Sequence, residues 1–228
     1  MAAAPSVVLV GLCDAREAAA GDAQQAAAGD AQQAAAGDAR EAAAGDAQHV
    51  AAGDAQQAGA GELARLLGPA RALAVARTLL TRATAWAETV APGRVRVAAP
   101  AAVEQAARAA LGAGGPLLVV WPELPRWPSE HAAGVLGDLD AGCEVSIGPV
   151  FSGGLYLLAL TRDDPELLAL VHRSRIGPDA LGPALDAVQR AGVGVGLLRA
   201  ERGLRTAADI RAALADPLLD RELRAVLS

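Results

Sequence analysis

The sequence predicts an α/β protein, a mostly parallel sheet with helices on both faces. Three observations predict it. Short valine- and leucine-rich runs recur along the chain, bounded by glycine or proline, as strands buried on both sides require. Longer stretches between them carry leucine and alanine at helical spacing. The two kinds alternate, which is the pattern of strand–helix–strand units.

Taken in order, Pro5–Leu12 (PSVVLVGL) reads as a buried first strand. Gly61–Val90 is helical, and its Gly68-Pro69 pair predicts two helices or a kink, because proline cannot continue a helix regularly. Arg94–Ala98 (RVRVA) alternates as a strand does, and Ala101–Leu111 follows as a helix. Pro116–Trp121 (PLLVVW) is a second buried strand. Ser129 is the expected N-cap of a helix running to about Leu139. Glu144–Ile147 and Leu155–Leu160 are short strands around a glycine-rich turn. Helices are expected at Pro165–Val171 and Asp179–Arg190, a late strand at Val193–Leu198, and closing helices at Thr206–Leu214 and Pro217–Leu227.

One stretch breaks this alternation. From Asp14 to Gln57 the chain repeats an eight-residue unit of the form DAQQAAAG. Eight residues overshoot two helical turns by about 80°, so the repeat builds no constant face. Coiled coils need a period of seven or eleven. The unit holds almost no large apolar side chain, and glycine at each repeat costs a helix about 1 kcal/mol. The expected organisation is therefore a first strand in residues 1–13, a low-complexity insertion over 14–57, and the rest of the α/β domain over 58–228. Long surface insertions add little loop-closure entropy. Charge follows the same division. The tract carries six aspartates and two glutamates against two arginines, a net −6 that equals the net charge of the whole chain. The remainder is neutral overall.

Composition excludes several functions. The 228 residues suffice for one ordinary domain or one domain with an appendage. All 20 basic residues are arginine, and without a basic surplus nucleic-acid binding is not expected. No apolar run reaches the roughly 18 residues of a membrane span. The opening MAAAPSVVLVGL lacks a positive leader region and reads as strand. Two cysteines, Cys13 and Cys143, make neither a disulfide framework nor a metal cluster, so a reducing cytoplasm is the expected setting. The histidines His49, His131 and His172 have no serine or cysteine with an acidic orienter nearby in sequence, and each is expected at the surface or its boundary.

Ligands of open α/β sheets bind beyond the carboxyl ends of the strands. Three stretches occupy such ends. WPELPRWP (121–128) follows the strand PLLVV, and its prolines hold Glu123 at the strand tip, where a carboxylate can hold a divalent cation. GPVFSGGLY (148–156) has a glycine pair, Gly153-Gly154, that allows close backbone approach. RGLRTAAD (202–209) leads into a helix, with Thr206 and Asp209 spaced as a variant capping box.

Together these stretches resemble a bacterial family, the GT-A-fold group of phospholactate guanylyltransferase (CofC-like) proteins and their glycosyltransferase-like relatives. Its members carry Gly-x-Asp-x-Pro-x-Leu at a strand end, then Gly-Pro-x-x-Asp-Gly-Gly-Tyr-x-Leu, then Asp-x-Asp-Thr-x-x-Asp-Leu. WPELPRW, GPVFSGGLYLLAL and GLRTAADI match in order and spacing over roughly residues 61–209. The resemblance implies a GT-A-like fold, a nucleotide or phosphorylated small molecule as ligand, and Mg²⁺ as cofactor. It implies Glu123 as metal ligand and Pro125, Ser152, Gly153, Gly154 and Arg205 as nucleotide- or substrate-binding residues. Partners in the nucleic-acid or membrane class are not implied.

The departures from the pattern bear on activity. Glu123 keeps the strand-end carboxylate, but Ser152 replaces the aspartate before the glycine pair, and Gly203 and Arg205 replace the Asp-x-Asp pair. The octapeptide tract stands where relatives carry a lysine-containing phosphate loop, and this chain has no lysine. An arginine at a former ligand position repels a cation by roughly 4 kcal/mol per unit charge at 4 Å and an effective dielectric of 20. The same guanidinium can bind phosphate directly. The expectation is a nucleotidyl- or glycosyl-transferase-family protein with an eroded metal and phosphate site and weak or no transfer. The alternative is a non-catalytic nucleotide- or partner-binding paralogue.

Overall fold

The structure, a computed structural model, describes residues 4–11, 63–173 and 180–228. The octapeptide tract, Cys13 and His49 lie outside the described residues, as does the side chain of His172.

The described elements run β1 (Ser6–Val10), α1 (Pro69–Val90), β2 (Val95–Ala98), a 3-10 turn (Pro100–Ala102), α2 (Val103–Gly112), β3 (Leu117–Val120), α3 (Ser129–Asp140), β4 (Val145–Pro149), β5 (Leu155–Leu160), α4 (Pro165–Arg173), α5 (Leu181–Ala191), β6 (Val195–Leu197), α6 (Ala207–Ala215) and α7 (Arg221–Leu227). They form one six-stranded sheet in the order β2-β1-β3-β5-β4-β6. β1 pairs in parallel with β2 and β3, and β4 with β6. β5 runs antiparallel to both of its neighbours, β3 and β4. The expected α/β class with a mostly parallel sheet is therefore what forms, with one reversed strand inside it.

Alternation along the strands explains the two-sided core. Val8 and Val10 of β1 and Leu117 and Val119 of β3 pack against α2, α4 and α5. Val7 and Leu9, with Leu118 and Val120, face the opposite way onto α1 and α3. Every residue of β1, β3 and β5 is buried, which is why these strands are continuous apolar runs. A third cluster joins Val75 and Leu79 of α1 to Leu204, α6 and α7, and fastens the chain's end over the first long helix.

Local boundaries follow the expected signals, with three corrections. Gly68 adopts φ 79°, a left-handed conformation favouring glycine, and ends the helical segment 63–67 before Pro69 opens α1. Ser129 does not cap α3: Pro128 is the N-cap, and Ser129 is the first helical residue with an exposed side chain. The proline-fixed loop stays extended up to Pro128, so the helix starts there. The last helix begins at Arg221 instead of Pro217, because Asp216 forms a turn with Leu218 and Leu219 and Asp220 then caps α7 through Leu223 N. His131 is also not at the surface but 5% exposed, in the first turn of α3.

Candidate functional site

β1, β3, β4 and β6 point the same way, and β5 starts at the end where they finish. Three loops therefore meet on one rim: the segment after β3, the β4–β5 turn and the segment after β6. Each is set by local chemistry. After β3, buried Trp121 and Leu124 pin the chain on either side of Glu123. The β4–β5 turn is closed by Val150 N donating to Gly154 O at 2.8 Å and by Gly153 N to Val150 O at 2.9 Å, with Gly153 at φ 89°. The third loop is moored by Leu204, whose side chain is buried and whose N–H donates to Glu123 O at 2.9 Å.

The centre of the rim is an ion pair. Arg205 Nε donates to Glu123 Oε2 at 2.6 Å, and Arg205 Nη2 to Oε1 at 2.5 Å. The side chains are 20% and 13% exposed. Two parallel charge-assisted bonds of this kind are roughly twice as strong as neutral hydrogen bonds, and they fix both groups in one plane. Glycines make room for it. A Cβ on Gly154 would stand 2.9 Å from Arg205 Nη1, and one on Gly203 would touch Glu123 Oε2 at 3.5 Å. Arg205's backbone N–H donates to Asp209 Oδ2 at 3.3 Å.

Asp209 does more than the capping box expected of it. Its carboxylate accepts from the Thr206 backbone N–H and from the Thr206 hydroxyl, each at 2.9 Å, while Thr206 Oγ1 accepts from Asp209 N. The same carboxylate takes Arg202 Nη1 at 3.4 Å. One buried aspartate thus holds the Arg202 side chain and the Arg205 backbone together. Arg202 in turn lies 5.7 Å from the ring centroid of Phe151, at the tip of the β4–β5 turn.

A second polar network braces the rim from beneath. His131 Nε2 lies 3.1 Å from Glu201 Oε1, and Arg199 donates to the same oxygen through Nε at 2.9 Å and Nη2 at 2.6 Å. Glu201's backbone joins the loops, its N–H donating to Pro149 O at 3.0 Å and its carbonyl accepting from Phe151 N at 2.9 Å. Tyr156 donates to Arg199 O at 3.2 Å. Burial first, and then the Glu201 carboxylate, push the Tyr156 hydroxyl well above its ordinary range, and Arg199 opposes them only in part. The phenol is therefore a hydrogen-bond donor at neutral pH.

The expected site residues divide. Glu123, Gly154 and Arg205 come together directly. Gly153 holds the turn and accepts from Leu181 N at 3.0 Å, and Ser152 stands half-buried in the same turn. Pro125 turns elsewhere. Its carbonyl accepts from Arg82 Nη1 at 3.0 Å, and it lines an open cavity of about 500 Å³ with Arg82, Trp86, Arg126 and Trp127. Sequence reasoning did not single out Phe151, Arg202, His131 or Glu201. Arg202 had a visible signal, being three residues before Arg205. His131 was expected at the surface and carried no such signal, since it is buried against Tyr156 and Glu201, which come from two distant segments.

The donor set does not suit a divalent cation. Both Glu123 oxygens are engaged by a guanidinium, Ser152 offers only a hydroxyl, and Gly203 offers no side chain. Among the described residues, no group of three or more histidine, cysteine, aspartate or glutamate side chains is close enough to hold a metal. No step through Mg²⁺ follows from this arrangement.

Comparison with known proteins identifies the fold. No family model matches the sequence, and no curated protein matches it. Among solved structures, the chain is similar to that of a candidate nucleotide-diphospho-sugar transferase of Desulfovibrio desulfuricans G20, with a TM-score of 0.58 and 17% identity. The match covers 74% of this chain and 87% of that one. The mixed six-stranded sheet is thus a GT-A-like α/β fold. Among the described residues no helix is long and apolar enough to cross a membrane.

Proposed function

We propose that this GT-A-like domain binds a nucleotide or a phosphorylated small molecule at the rim formed by the three loops, without a divalent cation, and that it transfers groups weakly or not at all. The order of the three motifs supports a CofC-like ancestry for the site. The observation that carries the reading is the two-point seating of Arg205 on Glu123. In metal-assisted phosphoryl or glycosyl-phosphate chemistry the cation offsets charge that develops on the leaving phosphates. A guanidinium brings one positive charge instead of two, and here the adjoining carboxylate neutralises most of it. Such a site can orient an anion through the N–H groups of Arg205 that Glu123 leaves free and through Arg202, but it lends little stabilisation to a departing diphosphate. The likeness to a candidate nucleotide-diphospho-sugar transferase supports a nucleotide-class ligand. A reducing cytoplasm remains the setting we assign.

Calorimetric titration with a panel of nucleotides, in Mg²⁺ and in chelator, tests this reading. Affinity is expected to be the same in both media and to fall about tenfold in Arg205→Ala. That variant leaves Glu123 facing the ligand uncompensated, so Glu123→Ala/Arg205→Ala is expected to recover part of the loss. Tight binding that needs Mg²⁺ and vanishes in Glu123→Ala would overturn it.

A further inference from the structure

We propose that Phe151 is a stacking platform for the planar ring of the ligand, and that Arg202 beside it takes the ligand's negative charge. The site is then specific for phosphorylated aromatic compounds of the nucleoside monophosphate type. This deepens the reading above and rests on it.

Four observations point to the platform. Phe151 is the chain's sole phenylalanine, and it is 68% exposed. It stands at the carboxyl end of β4, on the rim where ligands of such sheets bind. It is not a loose loop tip. Val150 before it is buried, its own N–H is held by Glu201 O, and the turn is closed by two backbone bonds. The ring is therefore presented to solvent by a fixed backbone. One face of the ring is covered by the Arg202 guanidinium at 5.7 Å from the centroid, and Asp209 accepts a hydrogen bond from that guanidinium at 3.4 Å. Arg202 is 48% exposed. A ring with one face under a half-exposed cation and most of its surface open to solvent suits a ligand whose planar ring stacks on the other face while its phosphate, a few bonds away, reaches the guanidinium at the ring's edge. Aliphatic phosphates would use the cation alone, and neutral aromatics the ring alone. Base stacking on an aromatic side chain tolerates any base, so the platform sets the class of ligand and leaves the identity of the base open.

Guanosine monophosphate and ribose 5-phosphate, which share the sugar phosphate and differ in the base, are the probes. Each is titrated calorimetrically into wild type, Phe151→Ala and Phe151→Tyr. Phe151 is exposed, so these variants are expected to keep the melting temperature. Guanosine monophosphate should bind wild type at least tenfold tighter than ribose 5-phosphate. Phe151→Ala should lose about that factor for the nucleotide and leave ribose 5-phosphate unchanged, and Phe151→Tyr should retain both affinities. Equal affinity of wild type for the two probes, or an equal loss of both in Phe151→Ala, would overturn the platform while leaving an anion site in place. Binding of neither probe would bring down the reading of the rim itself.

Discussion

Gly154 shows how tightly single residues constrain the rim. Its missing side chain leaves the space through which Arg205 reaches Glu123. Gly154→Ala is expected to push the guanidinium off its partner, at a cost of about 1 kcal/mol in chemical denaturation, within the usual range for overpacking. An unchanged stability would mean that the arginine has another route. Tyr156 gives a second residue-level test, because it is the only tyrosine in the chain and its ionisation can be followed alone. Its acidity is depressed in the folded state, so the neutral phenol is bound more tightly there than in the unfolded chain. Stability from this group is intact below about pH 10, the ordinary tyrosine value, and is lost as pH rises beyond it. Tyrosinate absorbance should appear only with unfolding, and Tyr156→Phe should weaken the alkaline loss of stability. Tyrosinate forming in the native protein near pH 10 would contradict the buried network. At this scale the sequence was partly legible. The glycine pair and Arg205 stand out in the chain, but which glycine accommodates which side chain depends on contacts 50 and more residues apart, and His131 carries no local mark of burial.

At the scale of elements, helix caps were legible in one case and misleading in others, Ser129 being the expected cap of α3 where Pro128 stands. Thr206 and Asp209 announce α6 in sequence, and the structure adds that Asp209 also orients Arg202 and the Arg205 backbone. The start of α7 was harder to place, since Pro217 is an acceptable first helical residue and two aspartates compete to end the turn before it. Asp220 wins because it both caps α7 and pairs with Arg82 of α1. The Arg82 guanidinium, helped by the Leu223 N–H, holds the Asp220 carboxyl down to about 2, against 3.8 ordinarily. A depressed carboxylate contributes stability that is present above its unfolded value and is lost as pH falls through its folded one. That window runs from about pH 4 down to about 2. Asp220→Ala is expected to cost about 1 kcal/mol at neutral pH as a lost cap. It should also make stability less steep across this window. An acid limb identical to that of wild type would show that the Arg82 link contributes nothing.

For the whole molecule, the alternation of strand and helix patterns was sufficient to anticipate the α/β class, because each burial pattern is local. The strand order was not legible, and neither was the central place of β5 between β3 and β4, although the short glycine-rich turn already implied that β5 runs against β4. Both depend on which edges meet, and β5 is as uniformly apolar as a parallel strand would be. The separateness of the octapeptide tract rests on its period and on its net charge of −6. Deleting Asp14–Gln57 is expected to leave the melting temperature of the domain unchanged and to bring its isoelectric point near neutrality. Loss of cooperative melting would instead make the tract part of the fold.

The proposed function rests on the Arg205 guanidinium engaging both oxygens of Glu123, so that the carboxylate is not free to hold a metal ion. Mn²⁺ titration monitored by electron paramagnetic resonance, with guanosine triphosphate present, addresses it most directly. Wild type and Glu123→Ala are expected to bind Mn²⁺ equally weakly, no better than the free nucleotide does. Mn²⁺ held tenfold or more tightly by wild type than by Glu123→Ala would contradict that reading.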